Sequence, residues 1–446
     1  MLIETRTMLR SALAGLLMLT VAVSPAMSCP FCSAPSLTLA EQISQADAVV
    51  LVQWVEGEKA TEKTAGKTVY EIKQVTRNHK DSLKAGERIT LPRYRASQVG
   101  DLFLLMGSKG VDVEWGSPLE VTETSFAYIT QAPAPEVPTS KRLEYYVKFL
   151  EYSDQLMSND AYGEFANAPY QDIVAVSEKL PREKVRQWIA DPETPATRMG
   201  LYGLLIGLCG NDDDAALIEQ KINEKTEDFR LGIDGLMSGY LMLKGAKGLD
   251  LIDETKLANR DIPFSETYSA MQALRFMWKY ADGRIDKERL KESMRILLDR
   301  PELSDLVIAD LARWKDWSVQ DRLMTIYLET QAGPESLTSN SKSIDDFYAA
   351  VTAEKKRQDA AAEETAPATQ TTEEVQEEQN PYNIPSIKRA IVRYMLVGSK
   401  DVPEDAVSGE DSKLPEHVTT GRKYVGMLRQ LDPKTVASAE RFFFLK

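Results

Sequence analysis

The chain has 446 residues, 43% of them hydrophobic, and a formal charge of -14 at pH 7. That apolar content is enough for two or three domain cores. The acidic balance, with no basic cluster to offset it, argues against nucleic acid or an anionic membrane surface as a partner.

The N-terminus reads as a signal peptide over residues 1–28. Arg6 and Arg10 give it a positive start, residues 11–23 are an apolar core, and Ala26-Met27-Ser28 is a small-x-small cleavage site before Cys29. The mature chain is then exported, periplasmic or extracellular. A lipid anchor on Cys29 and an uncleaved anchor are the alternatives. Cys29 and Cys32 form a CPFC sequence, a candidate disulfide or redox pair. A redox motif of this kind sits between a strand and a helix N-terminus that lowers the thiol pKa. Here it opens the mature chain, which favours a local disulfide or tether. Two thiolates are an incomplete zinc site, and neither His79 nor His417 has a second candidate ligand nearby in sequence.

Residues 29–131 read as a small β-rich domain. A short helix is expected at 39–45. Strands follow at 48–55, 68–75, 88–91, 101–106, 111–115 and 119–121, on their β-branched and aromatic content and the turns that separate them. Gly107 is expected to end the fourth. Several short strands of this kind suggest a barrel. The order of N-terminal cysteines, short helix, ADAVVLVQWV, VYEIKQV, KAGERITL and VGDLFLLMG resembles the netrin-module and tissue-inhibitor-of-metalloproteinase group. That resemblance implies an OB-type barrel and, at the mature N-terminus, a protease-inhibitor-like or metal-chelating role for the Cys29 amine and thiol. The whole chain also resembles exported proteins of planctomycete-type bacteria, which implies no activity.

Residues 132–140, with Pro133, Pro135 and Pro138, read as a linker. An α-helical repeat domain follows over 141–349, starting with a helix at 141–156. Asp160 and Glu164 lie four apart and share a face if both are helical. Asp160 is read as a helix cap, with an acid–base pair as the alternative. The strongest internal signal is a repeat: Arg198, Gly200, Gly203 and Gly207 recur as Arg230, Gly232, Gly235 and Gly239. Each glycine costs a helix about 1 kcal/mol relative to alanine, so a close-packed neighbour is expected over the bare stripe. Small pairs return at Ala270/Ala273 and Ala309/Ala312. This drifting period resembles HEAT/ARM-like repeats stacked as a solenoid. Around Trp314 and Trp317 the charges are dense. They either pair between adjacent turns or form an interaction surface from Asp310, Arg313, Trp314 and Trp317.

Residues 350–380 are an acidic low-complexity insertion, and 381–446 complete the helical body, with an amphipathic helix at 385–397. The three phenylalanines 442–444 read as a docking end. The fold class is therefore multidomain α+β: an OB-like barrel, then a HEAT-like helical solenoid. No GxSxG, HExxH, phosphate-loop or CxxCH motif occurs, so no catalytic residue, metal or cofactor is assigned. The expected function is that of an exported, non-enzymatic interaction or structural protein with an unknown protein partner and no membrane span in the mature chain. A thiol-redox or other enzyme using CPFC is the alternative.

Overall fold

A computed structural model describes residues 29–32, 37–78, 82–110, 112–226, 228–281, 283–338, 342–364, 380–402 and 414–443. The signal peptide, His79, residues 365–379 of the acidic insertion and Phe444 lie outside the described residues. Two compact units are present. The first runs up to Ile222 and includes Arg230–Gly239; the second comprises Asn223–Phe229 and the chain from Tyr240 onward.

The first unit opens with helix α1 (Leu39–Gln45), started by a reciprocal capping box between Thr38 and Glu41. Six antiparallel strands follow: β1 (Ala48–Glu58), β2 (Lys67–Arg77), β3 (Arg88–Leu91), β4 (Leu102–Lys109), β5 (Val113–Trp115) and β6 (Leu119–Val121). Their order is β3-β2-β1-β4-β5, with β6 also on β4. The sheet curls into a nearly closed barrel. Arg95, just past β3, reaches the Pro118 carbonyl at 3.4 Å and Glu120 at 3.1 Å, and Arg93 donates to the Gly116 carbonyl. Val50, Val52, Tyr70, Ile72, Phe103 and Leu105 fill the interior at strand alternation. Gly107 lies inside β4 and does not end it. It faces Trp115 across the β4–β5 pair, and a Cβ there would sit 2.3 Å from Val113 Cγ1, so the bare position allows β5 to approach.

The first helices differ from the sequence expectation. Helix α2 (Glu123–Gln131), capped by Thr122, had no counterpart in it. The single helix expected at 141–156 is broken into α3 (Thr139–Tyr146), a 3-10 turn and α4 (Gln155–Asn167). The break has a local cause: Asp154 caps α4 by accepting from Leu156 N and Met157 N. Asp160 is therefore in the middle of α4 and does not cap it. Next come α5 (Tyr170–Val174), α6 (Arg182–Ala190), α7 (Met199–Cys209), α8 (Asp212–Asn223) and α9 (Ile233–Lys244).

Helices α7 and α9 meet backbone to backbone. A Cβ at Gly203 would lie 2.4 Å from the Gly235 carbonyl; at Gly235, 2.2 Å from Gly200 O; at Gly239, 2.0 Å from Gly203 O. Contacts advance in the same direction along both chains, so the two copies of the repeat run parallel, with α8 as the return. Gly207 is buried in α7, and Gly232, at φ +76°, enters α9 in the left-handed region.

In the second unit, α10 (Ala246–Ile252) leads to α11 (Phe264–Lys279), α12 (Lys287–Ile296), α13 (Pro301–Arg313), α14 (Gln320–Glu329), α15 (Pro334–Leu337), α16 (Ile344–Glu364), α17 (Pro385–Gly398), α18 (Glu416–Leu431) and α19 (Pro433–Phe443). Residues 350–364, assigned to the acidic insertion from sequence, continue α16, with Val351 and Glu354 buried. Parallel stacking recurs. Arg275 pairs with Asp310 at 2.6 Å, and Trp278 stacks on Trp314 at 4.3 Å, so α11 and α13 advance together. Tyr382 OH donates to Leu298 O at 2.9 Å and Tyr394 OH to Asp316 O, so α17 runs parallel to α13. A return helix between parallel equivalents is the arrangement of an α-solenoid.

Candidate functional site

Cys29 and Cys32 form a disulfide. The Cys29 sulfur therefore has no free valence for a lipid thioether, which leaves the alternative of a lipid anchor there without support. Cys29 is 4% exposed, and its N–H donates to Ala166 O at 3.1 Å. The loop rests on the glycine stripe: a Cβ at Gly200 would lie 2.5 Å from Phe31 O and 3.0 Å from Phe31 Cβ. The two strongest sequence features are thus one packed feature, a clasp on α7. The free Cys209 is half-buried, and burial pushes its thiol up to about 11.

Asp160 and Glu164 do share a face of α4, and both are buried. Asp160 accepts from Leu39 N at 2.7 Å and Tyr128 OH at 2.7 Å. It thus ties the start of α1 and the second half of α2 to the helical body. Burial, opposed by those two bonds, pushes its pKa up to about 6. Glu164 pairs with Arg142. Tyr146 OH, Glu164 Oε1 and Arg142 Nε lack hydrogen-bond partners. An opening lined by Glu144, Tyr145, Val147 and Lys179 flanks Tyr146, but neither carboxylate lines it, so the pair reads as buried structural polarity.

Of the two readings for the charges around Trp314, pairing between turns holds, and the candidate interaction surface is largely interior. Asp310 is 2% and Trp314 6% exposed. Asp310 is shared by Arg275 and Arg313. Asp316, also buried, binds Arg295 at 2.7 Å. Trp317 is half-buried and donates to Asp401 at 2.8 Å. The reason is the repeat itself: a residue that faces the next turn needs a partner there, and these groups have one. Of the four residues proposed from sequence, only Arg313 remains exposed, its side chain at 66%.

That arginine marks a groove of about 780 Å³ between α13 and α17. Ala309, Ala312 and Ala390 line it with short side chains, and Leu306, 39% exposed, adds apolar surface. Arg313, Arg389 and Arg393 also line it, against Asp305 as the single carboxylate. In α17, positions 386, 389, 390, 393, 394 and 397 lie on one helix face. They span about 16 Å at 1.5 Å per residue. Sequence reasoning placed Ala309 and Ala312 in a packing stripe and had no signal that α17 would be their neighbour.

Among the described residues, no group of three or more His, Cys, Asp and Glu could hold a metal ion, and no helix is long and apolar enough to cross a membrane. Comparison with protein-family models, with curated proteins and with solved structures gave no match.

Proposed function

We propose that this is an exported, non-enzymatic interaction protein whose helical body binds a protein partner in the α13–α17 groove. The observation that carries the reading is the groove itself. It is an apolar, arginine-flanked opening of a size that takes a side-chain cluster or short helix. The N-terminal barrel serves as a second module. Its strand order is in keeping with the netrin-module resemblance. Inhibition or chelation through Cys29 fits less well: in that group the N-terminal cysteines pair with distant ones, whereas Cys29 pairs with Cys32 and is buried. The clasp on Gly200 supports a structural role for CPFC over a redox one, because a thiol that exchanges needs access.

The test is site-specific photo-crosslinking from Leu306 in the exported fraction. Crosslinks to a discrete protein are expected, and Ala309→Trp, which fills the groove, should abolish them. Crosslinks unchanged by Ala309→Trp would place binding elsewhere. N-terminal sequencing of the exported protein should begin at Cys29; a retained Met1 would overturn the export reading.

A further inference from the structure

We propose that the groove selects an amphipathic helix with carboxylates beside its apolar stripe, contributed by another protein. This rests on the groove being the binding site. The lining face of α17 extends about 16 Å, which matches three turns of an opposing helix. The alanine floor leaves depth for one or two large apolar side chains at i, i+3 or i+4 spacing, with Leu306 beside them.

The charge argument decides the partner's flanks. The chain as a whole is acidic, at -14, and would repel an acidic peptide at long range. Salt screens such repulsion beyond roughly 8 Å at physiological ionic strength, so a docked helix responds mainly to the lining. There the balance is reversed: Arg313 and Arg389 stand against Asp305, with Arg393 engaged towards the Ala439 carbonyl. Asp310 does not cancel Arg313, because it is also bound by Arg275 at 2.6 Å. Guanidinium forks bind carboxylates with two parallel hydrogen bonds. The rim therefore favours Glu or Asp and penalises Lys or Arg.

The experiment uses the full chain and two labelled helical peptides of 14 residues. Both carry the same leucines; one has glutamate flanks, the other lysine. Fluorescence anisotropy should show the glutamate peptide binding at least tenfold more tightly, with the preference shrinking as salt rises. Arg389→Glu should reverse the order, and Arg389→Ala should reduce it. Circular dichroism checks that both variants fold. Equal affinity for the two peptides, or preference for lysine, overturns the proposal. So does glutamate-peptide binding that appears only after residues 365–379 are deleted, which would make this chain's own Glu373, Glu374, Glu377 and Glu378 the occupant. A dimer broken by Ala309→Trp would make the occupant a second copy, and would also overturn it. If Leu306 crosslinks vanish with Ala309→Trp while the peptides bind equally, the groove stands and only the acidic preference falls.

Discussion

The α7–α9 contact and the α13–α17 contact are both made by parallel helices with small residues between them, yet one is shut and the other is open. In α7–α9 the small residues are glycines on both sides, so main chain seats on main chain, as with Gly203 against Gly235. In α13 and α17 large side chains such as Val307, Ile391 and Tyr394 are buried. The alanines line the opening together with longer arginines. A small residue thus closes an interface when its opposite number is also bare. It opens one when the helices are held apart by bulk deeper in.

The largest effect should come from filling the shut contact. Gly203→Val places carbon where the Gly235 backbone already is, and should destabilise the first unit by roughly 3–5 kcal/mol, at the upper end of overpacking costs. Thermal unfolding followed by circular dichroism would show a drop in Tm of about 8 °C or more. A variant that unfolds like the parent would mean the stripe is not a tight seam.

Removing bulk on the other side of α13 should be nearly as costly. Trp314→Ala empties the stack on Trp278 and should cost about 3–5 kcal/mol without altering peptide affinity in the molecules that remain folded. An unchanged Tm with lost binding would restore Trp314 to the interaction surface. That result would contradict its 6% exposure.

A third test concerns how the start of the chain is tied to the body. Asp160 has a folded pKa near 6 against an ordinary 3.8, so the folded protein prefers its neutral form. Its contribution is fully present below about pH 4 and is lost as pH rises through 6, about 3 kcal/mol at 1.36 kcal/mol per unit. Denaturant unfolding of the parent and Asp160→Asn across pH 4–7 isolates this term in the difference between them. A difference that is flat with pH would remove Asp160 as its source. The smallest stability effect is expected for Ala309→Trp, within about 0.5 kcal/mol, because the new ring enters open space.

The legibility of the fold from sequence followed the range of the interactions. The β-branched and aromatic run of β1 and the duplicated Arg-Gly pattern are local or periodic, and both read correctly from residues alone. The break before α4 was missed because Asp154, a cap, sits in a run whose apolar spacing continues through it. Helix α2 was missed because its Thr122–Ser125 cap is short and polar, next to strands. The burial of Trp314 depends on Trp278 and Arg275 in another repeat. The groove depends on α13 meeting α17 across the acidic insertion. No pattern within either helix announces that neighbour.

The most direct test of the account is therefore paired: Tm and Leu306 crosslinking, measured together for Ala309→Trp and Gly203→Val. The account predicts that Ala309→Trp keeps its Tm and loses its crosslink, while Gly203→Val loses Tm. If Ala309→Trp unfolds the protein as Gly203→Val does, or keeps both its Tm and its crosslink, the opening between α13 and α17 is not a binding site.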